Sequence, residues 1–172
     1  MRDELILKNI KLVQYKKPSV SQNWIRWLND KDVTKYSDQR FIKHTLNSQK
    51  KYIKILMENN TIFYKIFYKN EEIGNIFLTR IDQNNKNCEV GYLIGEKKLW
   101  GKGIATYVVG IVIDYAFKRL KLKKIYSWCY ENNIGSKKAL MKNNFRIEGK
   151  IKKFYKFNKA RRVDKIYLGL FR

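Results

Sequence analysis

The chain has 172 residues, and its 38 Lys and Arg against 15 Asp and Glu give a formal net charge of +23; this length predicts a single domain over residues 1–172. The stretch MRDELILKNIKL contains no apolar signal-peptide core, no run approaches the roughly 20 apolar residues that a membrane span needs, and the two cysteines have no metal-ligand spacing. We therefore expect a cytoplasmic protein without a membrane span or a metal. The positive charge suits an anionic ligand, but the Lys-, Asn- and Ile-rich composition is also what an AT-rich coding sequence produces, so the charge identifies no partner.

Two helices are predicted near the start of the chain, after a strand over residues 4–15. Ser21, which follows Pro18, stands where the first helix begins. A second helix is predicted over residues 45–59, with an imperfect apolar stripe. The stripe consists of Leu46, Tyr52, Ile53, Ile55 and Leu56. The aromatic and apolar side chains expected in the core around the first helix are Trp24, Trp27, Leu28 and Tyr36.

The rest of the chain alternates strands with two more helices. Three strands at residues 61–69, 73–82 and 88–95 are joined by short polar turns, which predicts an antiparallel meander. They are followed by a long apolar helix at 103–120, a strand at 123–131, a helix at 134–143, and a final pair of strands around Phe154 and Ile166. We therefore predict a mixed α/β fold around a largely antiparallel sheet, with Cys88 and Cys129 as buried apolar residues.

The turn before the long helix combines two glycines with lysines, in the segment KKLWGKGIAT. The first turn of a helix leaves its backbone N–H groups unpaired and carries the positive end of the helix dipole. Gly101 and Gly103 have no side chain to keep a ligand away from these amides. The segment therefore predicts a seat for a phosphate-bearing cofactor.

This segment also resembles the signature of the GNAT superfamily of acetyl-CoA-dependent N-acetyltransferases. The signature has a basic residue, two spacers, Gly, one spacer and Gly, matched here by Lys98, Gly101 and Gly103. Further matches are CEVGYLIG before it, NIGSKKALMKNNF after it and EGKIKKFYKFNKARRVDKIYLGL at the end. The chain is most similar to the branch that holds ribosomal-protein, spermidine and amino-sugar acetyltransferases. The resemblance implies an α/β fold with about seven strands, mostly antiparallel, flanked by helices and with a splayed central pair.

The resemblance implies acetyl-CoA as the acetyl donor and assigns residues to its binding. The implied positions are Tyr92, Leu93, Ile94, Lys98, Gly101, Lys102, Gly103, Ile104, Ala105, Asn133 and Ser136. Four of these residues have an ordinary structural alternative. Asn133 and Ser136 are also typical helix caps, and Lys98 and Lys102 are also typical solvated lysines.

For the chemistry, a carboxylate near the splayed strands is expected to take the proton of the acceptor amine. Glu89 is the candidate, because it alternates away from Cys88 and Val90; the alternative is an ion pair with a lysine or Arg80. Leu140 stands where many GNAT enzymes have a tyrosine that reprotonates the thiolate, so the general acid is unassigned, with Tyr92 and Tyr130 as substitutes. Asn144 replaces a glycine, and Asn tolerates the left-handed conformation of a helix end.

The acceptor is the least determined part of the prediction. The segment at residues 24–45 resembles the opening of GNAT enzymes that acetylate nucleotide-linked amino sugars in bacterial surface-sugar pathways. Arg40 and His44 are candidates for phosphate or hydroxyl contacts, and His44 also for a base; the alternative for His44 is a polar residue at a helix edge. We expect an amino-sugar nucleotide, with a ribosomal-protein N-terminus or a polyamine as alternatives. A non-catalytic, basic RNA- or ribosome-binding module is the competing class; nucleic acid is not the expected partner, and a homodimer is left open.

Overall fold

A computed structural model of the protein describes residues 7–15 and 19–172. These ranges contain seven strands, four α-helices and two 3-10 turns, at Asp38–Phe41 and Lys97–Leu99. The strands are β1 Ile10–Gln14, β2 Ile62–Tyr68, β3 Glu71–Asp82, β4 Asn87–Ile94, β5 Lys124–Tyr130, β6 Arg146–Lys156 and β7 Arg162–Phe171. The helices are α1 Gln22–Asn29, α2 Leu46–Glu58, α3 Ile104–Lys118 and α4 Ile134–Met141.

The seven strands form one sheet in the order β1-β2-β3-β4-β5-β7-β6. Every neighbouring pair is antiparallel except β4 and β5, which are parallel. The ladder between β4 and β5 covers three pairs, from Asn87 opposite Lys124 to Glu89 opposite Tyr126. Beyond Glu89 the two strands separate. The predicted mixed, mostly antiparallel sheet with a splayed central pair is confirmed.

Helix α3 is apolar on nearly every side because it lies in the main core. Its Val108, Val109 and Ala116 are fully buried, and they pack with one face of the sheet, which includes Cys88 and Val90 of β4. Burying an aliphatic side chain of this size stabilises the fold by about 1.5–3 kcal/mol. Both cysteines are buried and free, as expected.

The opposite face of the sheet is covered by α1 and α2. Trp24, Trp27 and Leu28 of α1 are buried there, as predicted. A Cβ on Gly95 would lie 2.0 Å from the Trp27 ring, so glycine at the end of β4 lets α1 approach closely. Ser21 caps α1 by accepting from the backbone N–H of Trp24.

Two details differ from the sequence prediction. In α2 the buried residues are Gln49 and Ile53, whereas Tyr52 and Ile55 of the predicted stripe are exposed. A glutamine can be buried here because its side chain is hydrogen-bonded, as described below. Strand β1 begins at Ile10; the start of the predicted strand, over residues 4–6, and Pro18 lie outside the described residues.

Asn144 has φ +65°, the left-handed conformation expected for this position after α4. Within the described ranges, no helix is long and apolar enough to cross a membrane. The same residues contain no cluster of three or more His, Cys, Asp or Glu side chains that would hold a metal ion.

Candidate active site

A cavity of about 1460 Å³ lies where β4 and β5 separate. It is lined from both faces of the sheet, so it has two halves that meet at the gap between the strands. One half is bordered by the glycine turn and α4, and the other by α1, α2 and β3. Pockets for one small molecule are usually about 300–1,000 Å³. This cavity is therefore large enough for two ligands that meet at the splayed strands.

The glycine turn has the geometry of an anion seat. Gly101 and Gly103 have φ +76° and +77°, and a Cβ on either would have no atom within 4 Å. Gly103 is the N-cap of α3 and offers no capping side chain, so the first N–H groups of this 15-residue helix are not capped by it. Gly101, Gly103 and Ala105 line the cavity. These residues fit a pyrophosphate held by backbone amides.

The edge of β4 that faces the gap carries backbone groups without a ladder partner in β5. Ser127 Oγ donates to the carbonyl of Val90 at 2.8 Å, and Trp100 Nε1 donates to that of Ile94 at 2.7 Å. Since backbone groups of alternate residues face the same side, the N–H and C=O of Tyr92 also face the gap. Leu93 belongs to the other set, and its backbone faces its partner Asn75 in β3.

The N-terminus of α4 forms the opposite wall of the first half. Asn133 accepts from the backbone N–H of Ser136 at 3.2 Å, which is a cap. The Tyr92 hydroxyl lies 2.9 Å from Ser136 Oγ, and burial raises the pKa of Tyr92 to about 12. All three residues line the cavity. Asn133 therefore caps the helix and is also placed to face a ligand.

Glu89 lies on the opposite face of β4 from Cys88 and Val90, and it lines the second half of the cavity. Its side chain is 15% exposed. Trp128 Nε1 donates to Oε1 at 2.9 Å, and Arg80 Nε lies 3.5 Å from Oε2. Glu89 thus has the ion-pair partner that the sequence suggested as an alternative role, and it also faces the cavity that a base requires.

Comparison with known proteins identifies this arrangement. Residues 12–146 match the family model of the acetyltransferase (GNAT) domain. The chain belongs to the GNAT acetyltransferase family. Among curated relatives, the probable N-acetyltransferase YjcK of Bacillus subtilis is 33% identical over 67% of this chain and 67% of its own length. The uncharacterized N-acetyltransferase p20 of Bacillus licheniformis is 37% identical over 55% of the chain, but the match spans only 52% of p20. Acetyltransferase PseH of Campylobacter jejuni is 24% identical over 76% of the chain and 79% of PseH.

Solved GNAT structures agree with the fold. The ribosomal L7/L12 acetyltransferase RimL, in complex with coenzyme A, has a TM-score of 0.78 at 16% identity and covers 96% of both chains. Microcin C7 self-immunity acetyltransferase MccE, in complex with acetyl-CoA and AMP, has 0.77 at 20%, covering 95% and 93%. Spermidine N-acetyltransferase from Vibrio cholerae, with CoA and spermine, has 0.76 at 19%, covering 95% and 96%. The predicted family is confirmed, and the chain is similar to enzymes of the predicted branch.

Not every residue assigned by GNAT resemblance reaches the cavity. Those that line it are Tyr92, Leu93, Ile94, Gly101, Gly103, Ala105, Asn133 and Ser136, with Leu93 on the face of Glu89. Lys98, Lys102 and Ile104 belong to the same turn but do not line it. The Ile104 side chain is buried in the core, so only its backbone can face a ligand.

The two acceptor candidates lie elsewhere. His44 is 4% exposed, with Nε2 2.9 Å from the carbonyl of Gln39 and Nδ1 2.9 Å from Gln49 Nε2. Arg40 donates to the carbonyls of Lys35 and Lys156, which ties the 3-10 turn to β6. Neither residue lines the cavity. Both side chains therefore have a structural role in this arrangement, and His44 has no ring nitrogen left for a substrate.

The candidates for the general acid are also separated. Leu140 is fully buried in the core. The Tyr130 hydroxyl donates to Asp38 Oδ1 at 2.6 Å, its pKa is raised by burial and by this carboxylate, and it does not line the cavity. Tyr92 is the candidate that borders the gap.

Residues that sequence reasoning missed line the second half. Asn75, Phe77 and Trp128 are the main ones. The available signal was strand register: Asn75 pairs with Leu93 and Phe77 with Gly91 in β4, so they share the face of Glu89. Period-two alternation from Glu89 would have found both residues once β3 and β4 were aligned.

Proposed function

We propose that this protein transfers the acetyl group of acetyl-CoA to a primary amine of a small anionic acceptor, specifically an amino sugar linked to a nucleotide. The observation that carries the proposal is the cavity of two halves, which joins the glycine turn to a separate pocket at the splayed strands. Family membership supports the reaction class. The neighbours that hold acetyl-CoA or coenzyme A support the donor.

The proposed reaction uses the gap between β4 and β5. The acceptor nitrogen attacks the acetyl carbonyl carbon, a C–N bond forms, and the C–S bond breaks with its electron pair leaving on sulfur. The Tyr92 N–H faces the gap and is the donor that we assign to the carbonyl oxygen as negative charge develops on it. The amine loses one proton in the process.

Glu89 is the group that we assign to receive that proton. It stands three residues before Tyr92, which corresponds to about 10 Å along the strand, so the proton passes through water rather than directly. The donors Trp128 and Arg80 fix the two carboxylate oxygens, and each oxygen keeps lone pairs for a water molecule.

The acceptor half suits a sugar ring that is linked to a negatively charged nucleotide. Trp24, Tyr52 and Phe77 supply aromatic surface. The whole cavity is lined by five basic side chains, Lys35, Arg80, Lys97, Lys138 and Lys142, against Asp32 and Glu89. Arg80 pairs with Glu89 and Lys97 with Asp32, so the excess positive charge comes from Lys35, Lys138 and Lys142. Such a lining attracts an anionic nucleotide and disfavours a polycation. MccE, which was solved in complex with acetyl-CoA and AMP, supports a nucleotide-bearing acceptor in this fold.

Alternatives are distinguished by acceptor class. RimL and the Vibrio cholerae spermidine enzyme have similar folds, so a ribosomal-protein N-terminus and a polyamine belong in any test. A basic RNA-binding module without catalysis would bind RNA with a steep salt dependence and acetyl-CoA weakly. The open glycine turn and the two-part cavity favour catalysis over that module.

The decisive experiment titrates purified protein with acetyl-CoA at physiological salt, then follows thiol release with amino-sugar nucleotides, polyamines and N-terminal peptides. We expect micromolar binding and release only with amino-sugar nucleotides. Thiol release only with polyamines or peptides would change the proposed acceptor class and support the proposed reaction. Absence of acetyl-CoA binding, together with tight RNA binding, would refute the proposed acetyltransferase activity.

A further inference from the structure

Asn75 in the middle of β3 is a buried amide without a partner. It is 1% exposed, and neither Nδ2 nor Oδ1 has a hydrogen-bond partner among the described residues. An amide in this state is costly, because it has given up water without gaining another contact. Most buried polar groups in proteins are paired. The presence of Asn75 at this position is therefore not explained by a contribution to the stability of the fold.

Its position points to a ligand. Asn75 lines the second half of the cavity, on the face of the sheet that holds Phe77 and Glu89. Its partner in register is Leu93, the residue after Tyr92. Adjacent strands are about 4.8 Å apart, so Asn75 stands next to the part of β4 where the reacting groups meet. Glu89 is farther along the same face.

The side chains that line the cavity on the same face as Asn75 are largely apolar. Trp24, Leu28, Phe77 and Leu93 belong to, or pack against, one apolar cluster on this face, and all four line the cavity. Gln49 is a second buried amide that lines the cavity. Unlike Asn75, its side chain is paired, because it accepts from Trp24 Nε1 and donates to His44 Nδ1. Among these side chains, Asn75 is the polar group that stays unpaired.

We propose that Asn75 is a specificity residue that binds a hydroxyl on the carbon next to the acceptor amine. This rests on the proposed function, which places the amine at the gap beside Tyr92. An amide has two N–H donors and an acceptor oxygen, and a hydroxyl both donates and accepts. The apolar neighbours keep water from competing, so the contact discriminates strongly between acceptors with and without that hydroxyl.

The test compares two acceptors that differ only at that position: an amino-sugar nucleotide with a hydroxyl next to the amine, and its deoxy analogue. We expect the wild-type protein to prefer the hydroxyl form by about 100-fold or more in kcat/KM. Asn75→Leu, which has a similar volume and no polar atoms, should reduce this preference to less than about 5-fold. The affinity for acetyl-CoA should not change.

Asn75→Ala is the second variant, because it fits the site even if leucine does not, and it should lose the preference in the same way. Asn132→Leu is the matched control, because Asn132 Oδ1 is also buried with no hydrogen-bond partner in the described part of the chain, but Asn132 does not line the cavity. We expect this variant to keep the wild-type preference.

The thermal midpoint of each variant without ligand separates binding from folding. Asn75→Leu should unfold no earlier than the wild-type protein, because it removes an unpaired amide. An earlier transition, with equal losses for both acceptors, would give Asn75 a structural role and overturn the proposal. Unchanged preference in both Asn75 variants would also overturn it. Failure of the wild-type protein to use either acceptor would instead refute the proposed function, and the Asn75 assignment with it.

Discussion

At the scale of single residues, Glu89 combines an ion pair with a place in the cavity, and a substitution can separate the two roles. Glu89→Gln keeps an oxygen for Trp128 Nε1 but cannot accept a proton from an amine. If Glu89 is the base, we expect kcat to fall by about 10²–10⁴-fold with little change in the affinity for acetyl-CoA. Steady-state thiol release and equilibrium titration measure the two quantities.

Arg80→Gln is the matched control, since it removes the same ion pair and leaves the carboxylate. Arg80 is 77% exposed, and pairs of this kind are worth about 0–1 kcal/mol. We expect kcat at saturating acceptor to change by less than about 3-fold. A loss in Arg80→Gln as large as in Glu89→Gln would assign the effect to the pair and not to proton transfer.

Tyr92 allows a second prediction about single residues. With a pKa of about 12, its hydroxyl is a much weaker acid than an ordinary thiol, for which the pKa is about 8.5. Transfer of its proton to a departing thiolate is therefore uphill. We expect Tyr92→Phe to keep kcat within about 5-fold and to lower the thermal midpoint through the lost contact with Ser136. A fall of kcat by 100-fold, with stability unchanged, would identify Tyr92 as the general acid.

Part of this site could be predicted from residue types, and the rest depends on tertiary contacts that local sequence does not specify. Gly101, Gly103 and the outward side of Glu89 follow from local sequence, because a turn signature and strand alternation are local properties. The burial of His44 between Gln39 and Gln49 does not, because it depends on how α2 and the 3-10 turn meet. The same holds for the contact between Glu89 and Trp128, which are 39 residues apart.

At the scale of elements, the glycine turn should control the affinity for the donor. Gly103→Ala puts a Cβ on a residue with φ +77°, which costs about 1–2 kcal/mol of backbone strain. It also places a methyl group in the open space where we expect the pyrophosphate. We predict that the dissociation constant for acetyl-CoA rises by about 10-fold or more, measured by titration calorimetry.

Two further variants separate strain from crowding at this turn. Asn tolerates the left-handed conformation better than Ala, so Gly103→Asn relieves strain but keeps the crowding and should also bind acetyl-CoA weakly. Gly149→Ala is the control, because Gly149 also has no atom within 4 Å of its Cβ and lies in β6 away from the cavity. Normal binding by Gly103→Asn would mean that only the backbone conformation matters.

The elements were the most predictable part of the molecule. Strands and helices follow from periodicity, and the meander from its short turns. The stripe of α2 was predicted less well, since Ile55 is exposed while Gln49 is buried. Periodicity ranks residues by polarity and cannot know that Trp24 and His44 will satisfy a glutamine.

At the scale of the whole molecule, buried thiol and phenol groups should make the folded state less stable at alkaline pH. Burial raises the pKa values of Cys88 to about 12 and of Cys129 to about 11, as it does for Tyr92. Each folded pKa lies above that of the unfolded chain, so between the two values only the unfolded state loses the proton. The contribution of these groups to the free energy of unfolding is therefore fully present below about pH 8.5, and it is lost as the pH rises toward the folded pKa values.

We expect the thermal midpoint at pH 10.5 to be lower than at pH 8 by about 5 °C or more, since each pH unit costs about 1.4 kcal/mol per group. Calorimetry measures the midpoint. Cys88→Ala removes one of these groups and should make the decline with pH shallower. A midpoint that stays constant up to pH 10.5 would contradict the pKa directions.

The net charge of +23 makes a final prediction about the acceptor. In the cavity lining, basic side chains outnumber acidic ones, and Lys35 lies outside the Arg80–Glu89 and Lys97–Asp32 pairs. This excess attracts a nucleotide-linked sugar through charge, and salt screens that attraction over about 10 Å at 0.1 M. Raising NaCl from about 0.05 to 0.5 M should therefore raise the KM for the nucleotide-linked acceptor several-fold. The same amino sugar without the nucleotide should show little salt dependence. If the high charge reflects coding bias alone, both acceptors will respond equally, and a polyamine acceptor would respond in the opposite direction, with a KM that falls as salt weakens its repulsion.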